Sequence, residues 1–157
     1  MKLHLFDYYC ESCGNHFQSP QLIGDAYGEF LMRTKCGDIV YLDTCEDKVF
    51  DEVEKIYIKL ISIYKIEGTR LFIDLFHEIF TVSCDFSPQE QDYSIGQDPI
   101  CPNCLKTDFS RWGPTNPPEF VELDVPAVSH VNWNKLSCEE KVKKIERAIK
   151  NYFDKKE

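Results

Sequence analysis

The sequence predicts an α+β fold in one domain, which is the number that 157 residues normally form. A hydrophobic content of 43% and an aromatic content of 13% support a packed core and exclude a disordered chain. Aromatic and β-branched segments predict antiparallel strands, and a capped apolar stripe predicts a C-terminal helix. We expect the strands at 1–20 and 96–135, a helical insertion at 21–95 and the final helix at 137–154.

Two hairpins are predicted in the first 45 residues. Residues 3–17 favour a strand, a tight turn at 10–14 and a second strand, because aromatic and aliphatic side chains flank the turn. A second hairpin is expected from residues 29–35 and 38–44, with Cys36 and Gly37 at its turn.

Within the insertion, the helical part is predicted to begin after Cys45, where the composition changes. Between residues 47 and 65, apolar side chains recur with helical spacing behind an Asp47 cap, at Val49, Val53, Ile56, Leu60 and Ile63. The same segment suits a strand equally, since it is rich in β-branched residues and alternates at Ile56, Ile58 and Leu60. Both alternatives stay open at this point.

A second helix and a run of loops and short strands are expected next. Residues 71–80 carry a helical apolar stripe after the break at Gly68. Residues 87–99 are polar and punctuated by proline and glycine, which indicates a loop. Beyond Cys104 we expect a short strand and then a loop at 113–118. Two extended segments are expected to follow, at 120–125 and 128–133.

The C-terminal helix is predicted by its cap and its apolar face. Ser137 and Glu140 have the S-x-x-E spacing of a capping box, in which each side chain bonds the other's backbone amide. Four apolar residues then follow at helical spacing, namely Val142, Ile145, Ile149 and Tyr152.

Two Cys-x-x-Cys units are the strongest chemical signal in the sequence, at Cys10 and Cys13 and at Cys101 and Cys104. Two thiolates in a tight turn can bind one side of a tetrahedral ion, and a second pair completes the four ligands of structural zinc. Gly14, just after the first pair, suits a positive φ that directs backbone amides at sulfur. The pairs are 87 residues apart rather than the usual 15–20 or so, so the intervening block is an insertion.

The segment Tyr9-Cys-Glu-Ser-Cys-Gly-Asn-His-Phe17 resembles the first knuckle of a zinc ribbon in the rubredoxin-like group. Cys101-Pro-Asn-Cys104 resembles the second knuckle. The resemblance implies that Cys10, Cys13, Cys101 and Cys104 are metal ligands, and it leaves the middle of the chain unexplained. Leu105 stands where the family often has glycine, which, with the long insertion, favours structural zinc over electron transfer through iron.

The other cysteines lack paired spacing. One interpretation places Cys36 and Cys45 opposite each other across the second hairpin, where a histidine could join them in a second metal site. Buried or half-buried free thiols are the favoured interpretation for these two, for Cys84 and for Cys138. Cys138 lies in a first helical turn, where the dipole lowers a thiol pKa, but no histidine partner is identifiable.

The histidines and the motif search give no support for an enzyme. His16 is expected to be a strand residue beside the first turn, and His77 to lie on the exposed face of a helix. His4 and His130 have no recognisable partners. No P-loop, nucleotide-binding glycine motif, nucleophile elbow or His-Glu-x-x-His motif is present. We therefore predict a protein without catalytic activity.

The formal charge of −9 points to a basic protein partner. Residues 138–157 carry a local charge of +2 and the rest of the chain carries −11, so the acidity belongs to the body. By size and charge alone, a bacterial immunity or antitoxin-type inhibitor of a basic toxin is a suitable class. The alternatives are a nucleic-acid-binding zinc ribbon that stacks bases on Phe17, Trp112 or Trp133, and a thiol-redox or iron electron-transfer protein.

The sequence predicts a cytoplasmic protein that does not cross a membrane. His4 and Asp7 interrupt what would be the apolar core of a secretory signal. The most apolar stretch, residues 56–66, is broken by two lysines and a serine, whereas a membrane span needs about 20 apolar residues. In a reducing compartment, metal ligation explains eight cysteines better than disulfides do.

Overall fold

The computed structural model describes residues 1–24, 26–66 and 68–155. Within these residues the chain forms six strands and four α-helices. The strands build two antiparallel sheets, and the longer helices surround an apolar core. This mixture of helices and antiparallel sheets agrees with the predicted α+β class. No helix in the described part of the chain has the length and apolar character needed to span a bilayer.

The first sheet is built around the N-terminal strand, and we call it the cysteine sheet because both cysteine turns lie at its end. Its central strand is β1 (Lys2–Cys10), flanked by β2 (His16–Gln21) on one side. On the other side, β5 (Phe109–Pro114) and β6 (Phe120–Glu122) pair with successive halves of β1. The predicted first hairpin is confirmed.

One face of the cysteine sheet is aromatic. Tyr8 lies opposite Phe17 on β2 and opposite Trp112 on β5, and its ring stacks with both at centroid distances of 5.6 and 6.2 Å. Phe6 stacks on Trp112 at 6.1 Å. Side chains alternate between the faces of a strand, so Phe6 and Tyr8 share a face that Asp7 does not. Tyr8 is buried, whereas Trp112 is 63% exposed.

The second sheet is a hairpin on which the helices pack. Its strands are β3 (Glu29–Arg33) and β4 (Ile39–Asp43), as the sequence predicted. The helices are α1 (Lys48–Tyr64), α2 (Thr69–Phe80), the short α3 (Val131–Asn134) and α4 (Cys138–Asp154). Together they bury a continuous apolar cluster to which each contributes, for example Leu42, Tyr57, Leu75, Phe80, Trp133 and Ile149. Burial of this kind is the main stabilising contribution to a fold.

The contested segment after Cys45 is a helix. Asp47 begins it by accepting the amides of Val49 and Phe50 at 2.8 and 2.9 Å. The buried face is Val53, Tyr57, Leu60 and Ile61. Ile63 was expected on that face but is 71% exposed, because it lies about 200° around the helix axis from Ile61.

The prediction of extended chain at 128–133 is wrong from Val131 onward, where the chain forms α3. Val128 donates its amide to the Tyr41 carbonyl at 2.9 Å, so the chain runs along the edge of β4 there. It then turns into α3, whose first two amides, at Val131 and Asn132, donate to the Asp85 carboxylate. This long-range cap stabilises the start of α3, and no local sequence pattern predicts the cap.

The C-terminal helix is confirmed with its capping box. Glu140 donates its amide to the Ser137 hydroxyl at 3.2 Å, and the Glu140 carboxylate accepts the Ser137 amide at 2.7 Å. Three of the four predicted apolar residues are buried, namely Ile145, Ile149 and Tyr152. Val142 is 38% exposed, so the apolar face begins one turn later than predicted.

Candidate metal centre

The two cysteine turns meet at one end of the cysteine sheet. Cys10 is the last residue of β1, and the turn at 101–104 leads into β5. Because β5 pairs with β1 in antiparallel register, with Phe109 opposite Cys10, the second turn is carried to the first. Glu11 also donates its amide to the Asp108 carbonyl at 2.8 Å, just past the end of the strand. Strand pairing therefore brings the two distant pairs together.

The two turns have the same backbone hydrogen bonds. In each turn, the backbone carbonyl of the first cysteine accepts a hydrogen bond from the amide four residues later in the sequence. The backbone amide of the same cysteine donates to the carbonyl five residues later. These bonds join Cys10 with Gly14 and Asn15, and Cys101 with Leu105 and Lys106, each at 2.9 Å. Each turn ends in the left-handed region, with φ of 72° at Gly14 and 61° at Leu105. The positive φ predicted at Gly14 is confirmed, and Leu105 adopts it without being glycine.

The four sulfur atoms form a compact cluster, all within 4.8 Å of one another. Two of the separations join one turn to the other: 3.4 Å between the Sγ atoms of Cys10 and Cys104, and 3.6 Å between those of Cys13 and Cys101. A disulfide requires about 2.05 Å, so these are four separate thiols. Sulfurs about 2.3 Å from a central ion at tetrahedral corners lie about 3.8 Å apart. The cluster therefore fits a tetrahedral four-sulfur metal site.

Hydrogen bonds favour thiolates at two of the four positions. The Asn103 side chain and then the Asn15 amide lower the pKa of Cys13. At Cys101, burial raises the pKa, but the backbone amides of Cys104 and Asn103 and the neighbouring thiols outweigh burial and lower the pKa to about 6. The thiolate is the form that binds metal.

Cys104 shows the opposite behaviour. The Lys106 amide favours its thiolate, but burial and the three neighbouring thiols outweigh that bond and raise the pKa of Cys104 to about 12. Four thiolates within one small cluster repel one another, so the last group to ionise keeps its proton. A divalent cation removes this penalty, and its binding would release the remaining protons.

The cluster is half enclosed by protein. Cys10 and Cys101 are 2% and 0% exposed, whereas Cys13 is exposed and Cys104 is intermediate. Asn15 donates a side-chain hydrogen bond to the Sγ of Cys101 at 3.8 Å. Donors of this kind orient metal ligands and support their negative charge.

The remaining cysteines do not gather into a site. Cys36 lies in the turn of the second hairpin and Cys45 follows its last strand, so the two are at opposite ends. The alternative in which they face each other is therefore excluded. The favoured prediction of buried or half-buried thiols is also wrong for Cys36, Cys45 and Cys138, which are exposed. Cys84 is half-buried, as predicted, and burial raises its pKa to about 12. That shift makes Cys84 a poor nucleophile.

The histidines lie outside the sulfur cluster. His16 begins β2 beside the first turn, as predicted, and its Nε2 lies 2.8 Å from the Asp7 carboxylate. His77 was expected on an exposed face but is half-buried against Phe30, and burial lowers its pKa.

His130 has partners that the sequence did not reveal. Its ring is buried, with Nδ1 2.7 Å from the Ser83 carbonyl oxygen and Nε2 3.0 Å from the Asp47 carboxylate. Asp47 therefore caps α1 and contacts His130 with the same side chain. The two residues are 83 positions apart, so only the folded chain brings them together.

The sequence analysis also missed two further polar groups that contact buried or half-buried residues. Glu52 accepts the Trp133 indole N–H at 2.8 Å and the Lys141 ammonium at 2.9 Å. Arg33 is 5% exposed although it carries a charge. The sequence does contain one indication that Arg33 is buried, because it ends the apolar strand segment Phe-Leu-Met-Arg. A charge in such a position needs a partner or a ligand.

The sequence resemblance and the sulfur geometry both concern the same four cysteines, and the aromatic face of the cysteine sheet lies directly beside them. In comparisons with known proteins, no family model, curated protein or solved structure matches this chain.

Proposed function

We propose that the four clustered cysteines hold a structural zinc ion and that the two turns are the knuckles of a zinc ribbon. The separations of 3.4 and 3.6 Å between sulfur atoms carry this proposal, because they lie close to the edge of a zinc–sulfur tetrahedron. An all-sulfur set suits zinc or iron. Four protein ligands fill a tetrahedral shell and leave no position for water or substrate, which supports a structural role over a catalytic one.

Zinc in this position would join the end of β1 to the segment that leads into β5. The four ligands come from two turns separated by 87 residues of sequence, so the metal closes a long loop. Because the site is assembled only by folding, the free energy of metal binding contributes to the free energy of folding. The zinc site is thus part of the scaffold and leaves recognition to another surface.

That surface is the acidic segment, residues 43–54, and its partner is a basic protein. The segment has six acidic residues and one lysine. Asp47 and Glu52 are engaged internally. The other four carboxylates, those of Asp43, Glu46, Asp51 and Glu54, form no ion pair with any residue that the structure describes. Unpaired like charges on one surface attract an oppositely charged partner and speed its association.

An immunity or antitoxin-type inhibitor of a basic bacterial toxin is the form of this function that we favour. The support is the size of the chain, its charge of −9 and the concentration of acidic residues in one segment. A small acidic protein can cover a basic catalytic surface by charge complementarity alone, without any chemistry of its own.

A charge-reversal experiment tests the proposed partner. The variant Glu46→Lys/Asp51→Lys/Glu54→Lys is compared with Glu119→Lys/Glu122→Lys/Asp124→Lys, which makes the same change in net charge at exposed positions in and beside β6 of the cysteine sheet. Immobilised protein is incubated with a lysate of its source cell, and the bound proteins are eluted with salt and identified. We expect basic proteins that elute with rising salt and are retained by the control variant but lost from the first variant. Equal recovery on both variants, or no basic protein at all, would contradict the proposal.

A nucleic-acid-binding ribbon is the second candidate, because the cysteine sheet presents exposed aromatic and cationic groups. Trp112 is 63% exposed, and the Arg111 guanidinium lies 3.8 Å from the centroid of the Tyr9 ring. Exposed aromatic rings stack on unpaired bases in proteins that bind single strands. A gel shift with single-stranded oligonucleotides at low salt distinguishes the candidates, since a protein-binding module leaves the oligonucleotide unshifted.

A further inference from the structure

Arg33, at the end of β3, is a buried cation with few partners. Its side chain is only 5% exposed, and one of its terminal nitrogens donates to the Pro20 carbonyl at 2.5 Å. A guanidinium has five N–H donors, and no other hydrogen bond or ion pair links this one to a described residue. Burial lowers the pKa of Arg33, which expresses the cost of desolvating the charge. A buried charge normally has a matching anion.

Arg33 lines a cleft between the cysteine sheet and the second hairpin. The cleft has a volume of about 430 Å³, and its walls include Phe6, Tyr8 and Trp112 from the aromatic face and Phe30 from the hairpin. Arg33 also borders a smaller cavity of about 200 Å³ on its other side. A cleft of this size, with aromatic walls and a small number of polar side chains, is typical of small-molecule sites.

The charged side chains that the structure describes beside Arg33 restrict what the cleft can bind. Asp98 lines the cleft and is near enough to favour the charged form of Arg33, but it forms no ion pair with Arg33 among the described residues. Glu29 also lines the cleft, and its carboxylate accepts the Tyr41 hydroxyl. Two carboxylates beside one guanidinium oppose a doubly charged ligand. A singly charged anion meets much weaker repulsion.

We propose that this cleft binds a small monoanionic carboxylate carried on a flat aromatic body, with Arg33 as the carboxylate anchor and Trp112 as the stacking surface. The planar fork of an arginine matches a carboxylate with two parallel hydrogen bonds. The exposed indole of Trp112 offers a π face at the mouth of the cleft. This site is independent of the proposed protein partner, since the acidic segment contributes none of its walls.

Titration of the full-length protein with benzoate tests the site. Binding is followed by calorimetry and by the NMR signal of the Trp112 indole N–H, which Trp112→Phe assigns. We expect saturable binding in the millimolar range or tighter, with a shift of that indole signal. Benzamide, which is neutral and has nearly the same shape, and inorganic phosphate should each bind at least tenfold more weakly.

Variants at three positions separate a binding role for Arg33 from a purely structural one. Arg33→Gln should weaken benzoate binding at least tenfold, whereas Arg111→Gln, at an exposed arginine of the cysteine sheet, should leave it unchanged. Asp98→Asn removes a competing carboxylate at an exposed position and should strengthen binding about threefold. The Asp98 variant keeps the test decisive if Arg33→Gln fails to fold. Equal binding of benzoate and benzamide, no binding of benzoate, or no change with Asp98→Asn would overturn the proposal.

Discussion

Leu105 and Gly14 occupy equivalent positions in the two cysteine turns and share a left-handed backbone, with φ of 61° and 72°. Each donates its amide to the carbonyl of the first cysteine of its turn at 2.9 Å. Glycine adopts this conformation at no steric cost, whereas a side chain makes it unfavourable by about 1–2 kcal/mol. The turn at 101–104 therefore keeps its metal-binding shape in spite of its sequence, because strand pairing and the shared hydrogen bonds hold it.

Exchanging the residue types at these two positions should have opposite effects on stability. Leu105→Gly relieves the backbone and, since Leu105 is 75% exposed, loses little packing, so we expect a gain of about 0.5–1 kcal/mol. Gly14→Leu should lower the free energy of unfolding by about 1 kcal/mol, although a Cβ there meets no atom within 4 Å. Urea denaturation of the metal-loaded proteins measures both changes. Shifts in the same direction would contradict the equivalence of the turns.

The Glu52 carboxylate should stabilise the packing of α1 against α4 and Trp133. Glu52→Ala leaves the indole N–H of Trp133 and the ammonium of Lys141, whose side chain is 12% exposed, without their acceptor. We expect a loss of about 1–2 kcal/mol in the free energy of unfolding. Glu139→Ala is the matched control, because it breaks an exposed pair with Lys143 and should cost less than about 0.5 kcal/mol. Equal losses of stability in the two variants would show that the contacts of Glu52 with Trp133 and Lys141 stabilise the fold no more than an exposed ion pair does.

Asp47 should contribute far more to the stability of the fold than its neighbour Glu46 does. Asp47 accepts two amides at the start of α1 and contacts the buried His130, so Asp47→Ala should cost about 2 kcal/mol. Glu46 is exposed and forms no ion pair among the described residues, and Glu46→Ala should change stability by less than about 0.5 kcal/mol. Thermal and urea denaturation measure the stability of both variants. For this reason Asp47 is unsuitable for charge reversal, although its position in the acidic segment suggests otherwise.

Asp85 should make stability depend on acid pH. Burial raises its pKa, but bonds from the Ser129 hydroxyl and from the amides of Asn132 and Val131 outweigh burial and lower the pKa below its ordinary value of 3.8. A carboxyl whose pKa is lower in the folded state contributes stability above its unfolded pKa. That contribution is lost as the pH falls through the folded value.

The measurement is the difference in unfolding free energy between the parent and Asp85→Asn from pH 7 to pH 3. We expect a constant difference above about pH 5 that shrinks as the pH falls below about 4. Using the difference cancels the acid-induced loss of metal from the cysteines, which affects both proteins. A difference that stays constant over the whole range would contradict the assigned role of Asp85.

Local patterns predicted most of the secondary structure because each of those elements is set by neighbouring residues. The capping box at Ser137 and the turn signals between the hairpin strands act within a few positions, and the structure has both. The cluster of Cys10, Cys13, Cys101 and Cys104 could also be anticipated, since paired spacing is itself a local feature.

The interior polar contacts could not be predicted because they join residues far apart in the chain. His130 meets Asp47 across 83 positions, and Trp133 meets Glu52 across 81. The burial of Arg33 likewise depends on how the cysteine sheet lies against the second hairpin. A local sequence pattern carries no information on such pairings. The prediction of an extended segment at 128–133 failed for the same reason, because the distant Asp85 caps α3.

Metal content is the most direct test of the account. Elemental analysis of protein purified without added metal should find one zinc per chain in a colourless solution, and none after Cys10→Ser or Cys101→Ser. Cys36→Ser and Cys138→Ser are the matched controls, since both thiols are exposed and outside the cluster, and they should keep the zinc. Removing the metal with a chelator should lower the melting temperature of the parent. A parent chain that contains no zinc and melts at the same temperature as Cys10→Ser and Cys101→Ser would contradict the central claim.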